Sequence, residues 1–225
     1  MTSNVTRRKA LSGGLGMLAL TLAGCSTRTT PVPTPTPAQP AVDANFLQNY
    51  GPRPQEEFPI PAVDPRVLAP AFRRQRVAYQ TSEDPGTVVV DTGSFYLYLV
   101  EPSGTAMRYG VGLGRQGFEW SGRARIAWKR PWPTWTPPDE MIAREPELEQ
   151  FSAKNGGMAP GLGNPLGARA LYIFQGNVDT LYRLHGTNQP ASIGKAVSSG
   201  CVRLVNQDVI DLFDRVRPGA AIVVT

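Results

Sequence analysis

The amino-acid sequence predicts a mainly β domain with one clear α-helix, and three observations carry that expectation. Apolar residues alternate with a period of two through several short runs after Thr87, and glycine- or proline-bearing turns separate those runs. Only the stretch from Val209 to Val216 repeats its apolar residues at helical spacing. The chain has 225 residues, 41% of them hydrophobic, enough for one well-buried core with extra material but hardly for two domains.

Residues 1–24 read as an export signal. Arg7, Arg8 and Lys9 form a basic start, and the small and apolar run from Ala10 to Ala23 is too short to span a bilayer as a helix. It ends in Leu22-Ala23-Gly24-Cys25, which resembles the bacterial lipobox, whose cysteine is acylated on sulfur and becomes the new N-terminus. An ordinary cleaved signal, or a short anchor with an incidental cysteine, is the alternative. Removing the three basic residues from 23 leaves 20 against 18 acidic ones, near +2 and scattered, which argues against nucleic acid as a partner. With lipid on Cys25, Cys201 has no intramolecular partner, and a lone thiol in an oxidising compartment is expected to be used.

The linker region spans residues 25–78. Ser26 to Pro40, STRTTPVPTPTPAQP, has the composition of an extended polyproline spacer. Ala41 to Tyr79 contains six prolines that interrupt regular elements, while Phe46, Tyr50, Phe58, Ile60 and Leu68 can dock on a neighbour, so an irregular wrapping arm is expected. Disorder of its first half is the competing expectation.

Beyond it, TVVVDT and FYLYLV flank a turn at Gly93-Ser94, and Pro102-Ser103-Gly104 turns the chain into TAMRYGVG, giving a three-strand meander. GRARIAWK, Gly122 to Lys129, alternates as a half-exposed strand does. RPWPTWTPPDEM, Arg130 to Met141, holds four prolines and cannot form a ladder strand, so an ordered loop with a helical turn from Asp139 is expected. Trp132 and Trp135 there either plug the core or form an aromatic wall beside a cleft. A glycine-rich loop from Ser152 to Gly167 precedes the strand pair ARALYIF and TLYRLHG, which places His185 at or just past a strand end. Asn206 is expected to cap the helix, Pro218-Gly219 to end it, and AAIVVT to close the chain as a strand.

The chemistry concentrates in HGTNQPASIGKAVSSGCVRL, His185 to Leu204, which contains the sole histidine and one of two cysteines. An imidazole can take the thiol proton, and a glycine directly before the thiol lets backbone N–H groups approach a substrate carbonyl. The intervening 15 residues fit a loop returning the thiol to the end of the histidine strand. A buried cysteine with a satisfied histidine is the alternative, and the shared glycine-rich window favours catalysis.

HGTN, SIG and SSGCVRL, followed by a helix opening Asn206-Gln207-Asp208, resemble the catalytic core of the L,D-transpeptidases, the YkuD or ErfK family of bacterial cell-wall enzymes. The likeness extends through GTVVVDT, RYGVGLGRQGFEWSG, WTPPDEMI and GNPLGARALYI, so it covers about residues 79–225. The resemblance implies a mixed, β-sandwich-like catalytic domain over 79–225 with its one clear helix after the catalytic cysteine. It implies Cys201 as the nucleophile, attacking the carbonyl between the L-centre of diaminopimelate and the terminal D-Ala of a tetrapeptide stem. His185 matches the general base, oriented by the carbonyl of Gly186, and the N–H groups of Gly200 and Cys201 match the oxyanion hole. Arg203 is expected to receive a substrate carboxylate or, alternatively, to fix the loop by a salt bridge. Ser198, Ser199, Trp132 and Trp135 are the remaining candidate substrate-binding residues. Many members have histidine where this chain has Ser199; since the base matches His185, activity with altered substrate positioning or loop hydrogen bonding is expected.

No cofactor or metal is called for. The expected partners are peptidoglycan stem peptides, a membrane reached through the lipid, and outer-membrane proteins as a second class of acceptor; water as acceptor makes a hydrolase, and an inactive wall-anchoring lipoprotein is the non-enzymatic alternative. The expected location is the periplasm, and Ser26, in place of the aspartate that often retains lipoproteins in the inner membrane, favours the outer membrane. A Cys25→Ser chain is therefore expected to leave the membrane fraction on cell fractionation; membrane recovery equal to wild type would refute lipidation.

Overall fold

The computed structural model describes residues 44–114, 121–198 and 201–225, with the backbone alone at 197 and 198. The expected signal, Cys25, the spacer, Ser199 and Gly200 lie outside the described residues. Among the described residues, eleven strands form one mixed sheet in the order β1-β4-β3-β2-β11-β6-β7-β8-β10-β5-β9. They are β1 Gln75–Ala78, β2 Val88–Asp91, β3 Tyr96–Glu101, β4 Thr105–Gly110, β5 Gly112–Gly114, β6 Gly122–Pro131, β7 Arg169–Gln175, β8 Val178–Thr187, β9 Ala196–Ser198, β10 Val202–Val205 and β11 Ala221–Val224. Val111 alone separates β4 from β5, yet β4 stands second in the order and β5 tenth. One nearly continuous strand can serve both places only if the sheet curls back on itself, which gives the sandwich-like form.

The β2–β3–β4 meander pairs antiparallel, as the alternation predicts. Its inward residues Val88, Val90, Leu97, Leu99 and Tyr109 share one core with Ile126, Leu171, Ile173, Leu184, Val202, Leu204 and Ile222. Helix α3, Asn206–Arg215, lays Val209 and Leu212 onto that core. Its last turn leaves carbonyls unpaired by the helix itself, and Lys129 Nζ donates to those of Phe213 and Val216.

Three expectations need correction. The arm contains regular structure, because its six prolines all fall between helix α1, Ala44–Tyr50, and strand β1 and leave both free to form. β6 runs on through Arg130 and Pro131, paired with Ala170 and Arg169; a proline at the strand's end withholds only a donor that the interior of the ladder does not need. Asn206 does not cap α3: Val205 is the N-cap residue, without a side-chain cap bond, and the Asn206 Oδ1 accepts the Ala168 N–H at 2.9 Å instead. The helical turn at Asp139 is present as α2, Asp139–Arg144.

The arm is bound by packing and by polar clamps. Phe46, Tyr50, Val63 and Leu68 bury against Ile193 and Val205. Glu56 accepts two hydrogen bonds from Arg169, both at 2.8 Å, and one from the Trp132 indole N–H at 3.0 Å. Gln207 Nε2 donates to the carbonyls of Gly51 and Pro61. Because Leu68 is fully enclosed by this seam, Leu68→Ala is expected to lower stability by about 2–5 kcal/mol within a single cooperative transition in a denaturant melt. A separate early transition, with the main one unmoved, would mean that the arm folds apart from the sheet.

Candidate active site

Strands β8 and β10 lie parallel, with Val202 level with Leu184 and Arg203 level with His185. Leu184 and Val202 face the core, so alternation sends Arg183 and His185 of β8 and Arg203 of β10 to the opposite face. Cys201, one residue before β10, falls on that same face beside Arg183, and its carbonyl accepts the Gly114 N–H of β5 at 3.1 Å. Thiol and imidazole therefore share a face on neighbouring strands, on a diagonal of one register step. His185 sits two residues inside the end of β8 rather than at or beyond it.

The imidazole is 4% exposed, and its Nδ1 lies 2.6 Å from the Gly186 carbonyl. A carbonyl can only accept, so Nδ1 carries the proton and the neutral ring keeps Nε2 as a base. Burial pushes the imidazole pKa down to about 4, with the Gly186 and Pro165 carbonyls pulling it back up and the charges of Arg203 and Arg183 adding to the depression. Burial raises the Cys201 thiol, opposed by a hydrogen bond from the Arg183 N–H and by the Arg183 and Arg203 charges. The resting pair is thus a neutral thiol and a neutral imidazole.

Gly186 has a second task. A Cβ there, or on Gly167 at φ +60°, would collide with the Asn206 side-chain oxygen. Glycine at both positions lets the first residue of α3 wedge between β8 and the start of β7, where it accepts the Ala168 N–H and lies close against Gly186. Asn206 is a positioning residue that the sequence does not reveal, since asparagine before a helical run reads as a cap.

Arg203 is half-buried, and its Nε is enclosed without a hydrogen-bond partner; burial lowers its pKa, opposed by Cys201. No ion pair of Arg203 is present among the described residues. Trp132 does not wall an open cleft: it is 5% exposed, packs edge-on to Phe58 and belongs to a small core with Ile60 and Ala168 beneath the arm. Trp135 bridges Met158 through two backbone hydrogen bonds and has its ring 6.4 Å from that of Phe151, within the loop between β6 and β7. Asn164 organises the same loop by donating to the carbonyls of Pro133, Met158 and Ala159. Ser198 is placed by its backbone in β9, and Ser199, Gly200 and Cys25 lie outside the described residues.

A curled, mainly β sheet that sets a thiol and a buried neutral imidazole on adjacent parallel strands defines a cysteine–histidine site. The chain belongs to the family of L,D-transpeptidase catalytic domains: the model of that domain, YkuD, matches residues 85–224, which takes in β2 to β11 and leaves out the whole arm with α1 and β1. The chain is 35% identical over 145 residues to the Probable L,D-transpeptidase ErfK/SrfK of Escherichia coli, covering 60% of this chain and 42% of that one. It is 34% identical over 142 residues to the Probable L,D-transpeptidase YbiS of the same organism, covering 60% and 43%. The chain therefore matches less than half the length of these relatives. A crystal structure from Brucella melitensis, named there as a Probable carnitine operon oxidoreductase, is 50% identical, covers 70% of this chain and 96% of that chain, and superposes with a TM-score of 0.50.

Two buried groups make opposite demands on stability. His185, the only histidine, is held down at about 4 against an ordinary 6.5, so the unfolded chain binds a proton between these values that the folded chain does not, and stability rises with pH there. Asp208, enclosed by Tyr50 and Arg74 of the arm, is pushed by burial from 3.8 up to about 7, so the folded chain holds the extra proton and stability falls with rising pH. Each effect has a slope of at most about 1.4 kcal/mol per pH unit. Denaturant melts at about pH 5 and 6 are expected to show near-level stability for the wild type, a rise with pH in Asp208→Asn and a fall in His185→Gln. Slopes of equal sign in the two variants would show that these groups are not the ones titrating.

Proposed function

We propose that the chain is a periplasmic, lipid-anchored L,D-transpeptidase that joins diaminopimelate residues of neighbouring peptidoglycan stems in 3-3 cross-links. The observation that carries this reading is the hydrogen bond from His185 Nδ1 to the Gly186 carbonyl, which leaves Nε2 as a proton acceptor on the face shared with Cys201. As the thiol attacks the carbonyl between diaminopimelate and the terminal D-Ala, its proton passes to Nε2. The neutral carbonyl of Gly186 orients the ring without the charge that an aspartate would bring. Backbone N–H groups at Gly200 and Cys201 receive the oxyanion. The imidazolium returns its proton to the departing D-Ala amine, a thioester remains on Cys201, and the neutral imidazole then deprotonates the acceptor amine that resolves it. Arg203, half-buried with an unpartnered Nε, binds a substrate carboxylate. The family membership and the intact His185, Gly186 and Cys201 support this assignment, and the lipobox supports the anchor.

Incubation of the purified chain with tetrapeptide muropeptides is expected to yield cross-linked dimers and free D-Ala, detected by mass spectrometry, with neither formed by Cys201→Ala. His185→Ala is expected to slow turnover by about 10²–10⁴. Release of D-Ala without dimers would replace transfer by hydrolysis, and wall binding without turnover would sink the enzymatic reading.

A further inference from the structure

The outward face that carries Cys201 also carries an ordered row of side chains that the acyl-transfer steps leave unused. Trp128 of β6 is level with Tyr172 of β7, and Tyr172 with Arg183 of β8. The same row ends at Cys201. The two rings stack with centroids 3.5 Å apart and planes 12° from parallel, and the Arg183 guanidinium lies over the other side of Tyr172, 4.4 Å from its centroid. Asp179 grips the guanidinium through two hydrogen bonds, at 2.7 and 2.8 Å, and Arg183 Nη1 also donates to the Tyr182 carbonyl. The Arg183 side chain is only 14% exposed.

We infer that Arg183 is a positioning residue for the nucleophile: a guanidinium clamped by Asp179 and the Tyr172–Trp128 stack, which holds fixed positive charge beside Cys201 and favours its thiolate. The inference rests on Cys201 as the reacting thiol. Asp179 is level with Phe174, one row farther from the thiol than Tyr172 and Arg183, and the Arg183 charge acts to lower the Cys201 pKa. A bidentate, stacked guanidinium has little freedom to swing out after a ligand. Arg203 is the contrasting case, level with His185 and with an unpartnered Nε. The two arginines thus differ, one held by protein partners on every side and one whose enclosed Nε no protein group satisfies. Among the described residues, the other ionisable groups around the thiol are His185 and Asp179 on β8, Arg203 on β10 and Tyr172 on β7. β5 contributes only Gly112-Leu113-Gly114, β9 carries no ionisable residue, and Lys195 before it is exposed.

The test is the pH dependence of alkylation by iodoacetamide, read at Cys201 by peptide mass spectrometry in the full chain. The thiol loses its proton to solvent base, the thiolate attacks the methylene carbon, a C–S bond forms and iodide leaves. Arg183→Gln is expected to slow alkylation at neutral pH about tenfold and to converge with wild type at high pH, the mark of a raised thiol pKa. Arg183→Lys, which restores charge without the planar fork, is expected to recover part of the loss, and Arg203→Gln to move the profile less than Arg183→Gln. A glutamine variant whose profile overlays wild type, or a lysine variant no better than glutamine, would overturn the inference. Because alkylation needs no peptidoglycan, a shifted profile without muropeptide turnover would uphold Arg183 and defeat the transpeptidase reading, and turnover with an unshifted profile would do the reverse.

Discussion

Parallel pairing of β8 with β10 sets Arg203 level with His185 and brings the residue before β10 beside Arg183. Cys201 and His185 are far apart in sequence, and their meeting on one face depends on this register. A slip of one residue would turn Cys201 and Arg203 into the core and Val202 and Leu204 out of it. The burial of Val202, Leu184 and Leu204 in the common core is thus the force that aims the reactive groups. Hydrophobic packing on one face determines the chemistry on the other.

The family domain does not supply the whole support for this arrangement. Ile193, in the segment between His185 and Cys201, buries against Phe46, Tyr50 and Leu68 of the arm. Phe72 lies so close to Gly194, at φ +78°, that a Cβ there would strike its ring. The arm also reaches α3 through Asp208 and Gln207, and reaches β7 through the Glu56–Arg169 pair. Residues outside the matched domain therefore brace the loop that delivers the thiol, the helix that wedges Gly186 and the strand next to the imidazole.

Much of the β framework is legible in the sequence because alternation and turn residues are local signals, and α3 is legible because its apolar stripe has helical spacing. His185 and Cys201 stand out because the chain has one histidine and two cysteines. What the sequence does not disclose is register, and register is what makes Arg183 a neighbour of Cys201. The short α1 and β1 are hidden for a related reason: a helix of seven residues has little stability of its own and forms through Phe46 and Tyr50, whose partners lie about 150 residues away. Trp132 shows the ambiguity of a buried aromatic, since packing and substrate contact demand the same side chain. Only the indole bond to Glu56 and the cover of the arm separate the two.

The single-residue join between β4 and β5 gives the chain an internal ruler. Gly110, on one side of Val111, has no room for a Cβ beside Phe72 of the arm, and Gly112, on the other, has none beside the Ser192 carbonyl in the loop that leads to the thiol. An inserted or deleted residue at Val111 would shift one end of the sheet against the other by half a pleat repeat and reverse every side chain beyond it. Length variation in descendants of this sequence should therefore accumulate in the β6–β7 loop and the arm's proline-rich middle, and bypass the join at Val111.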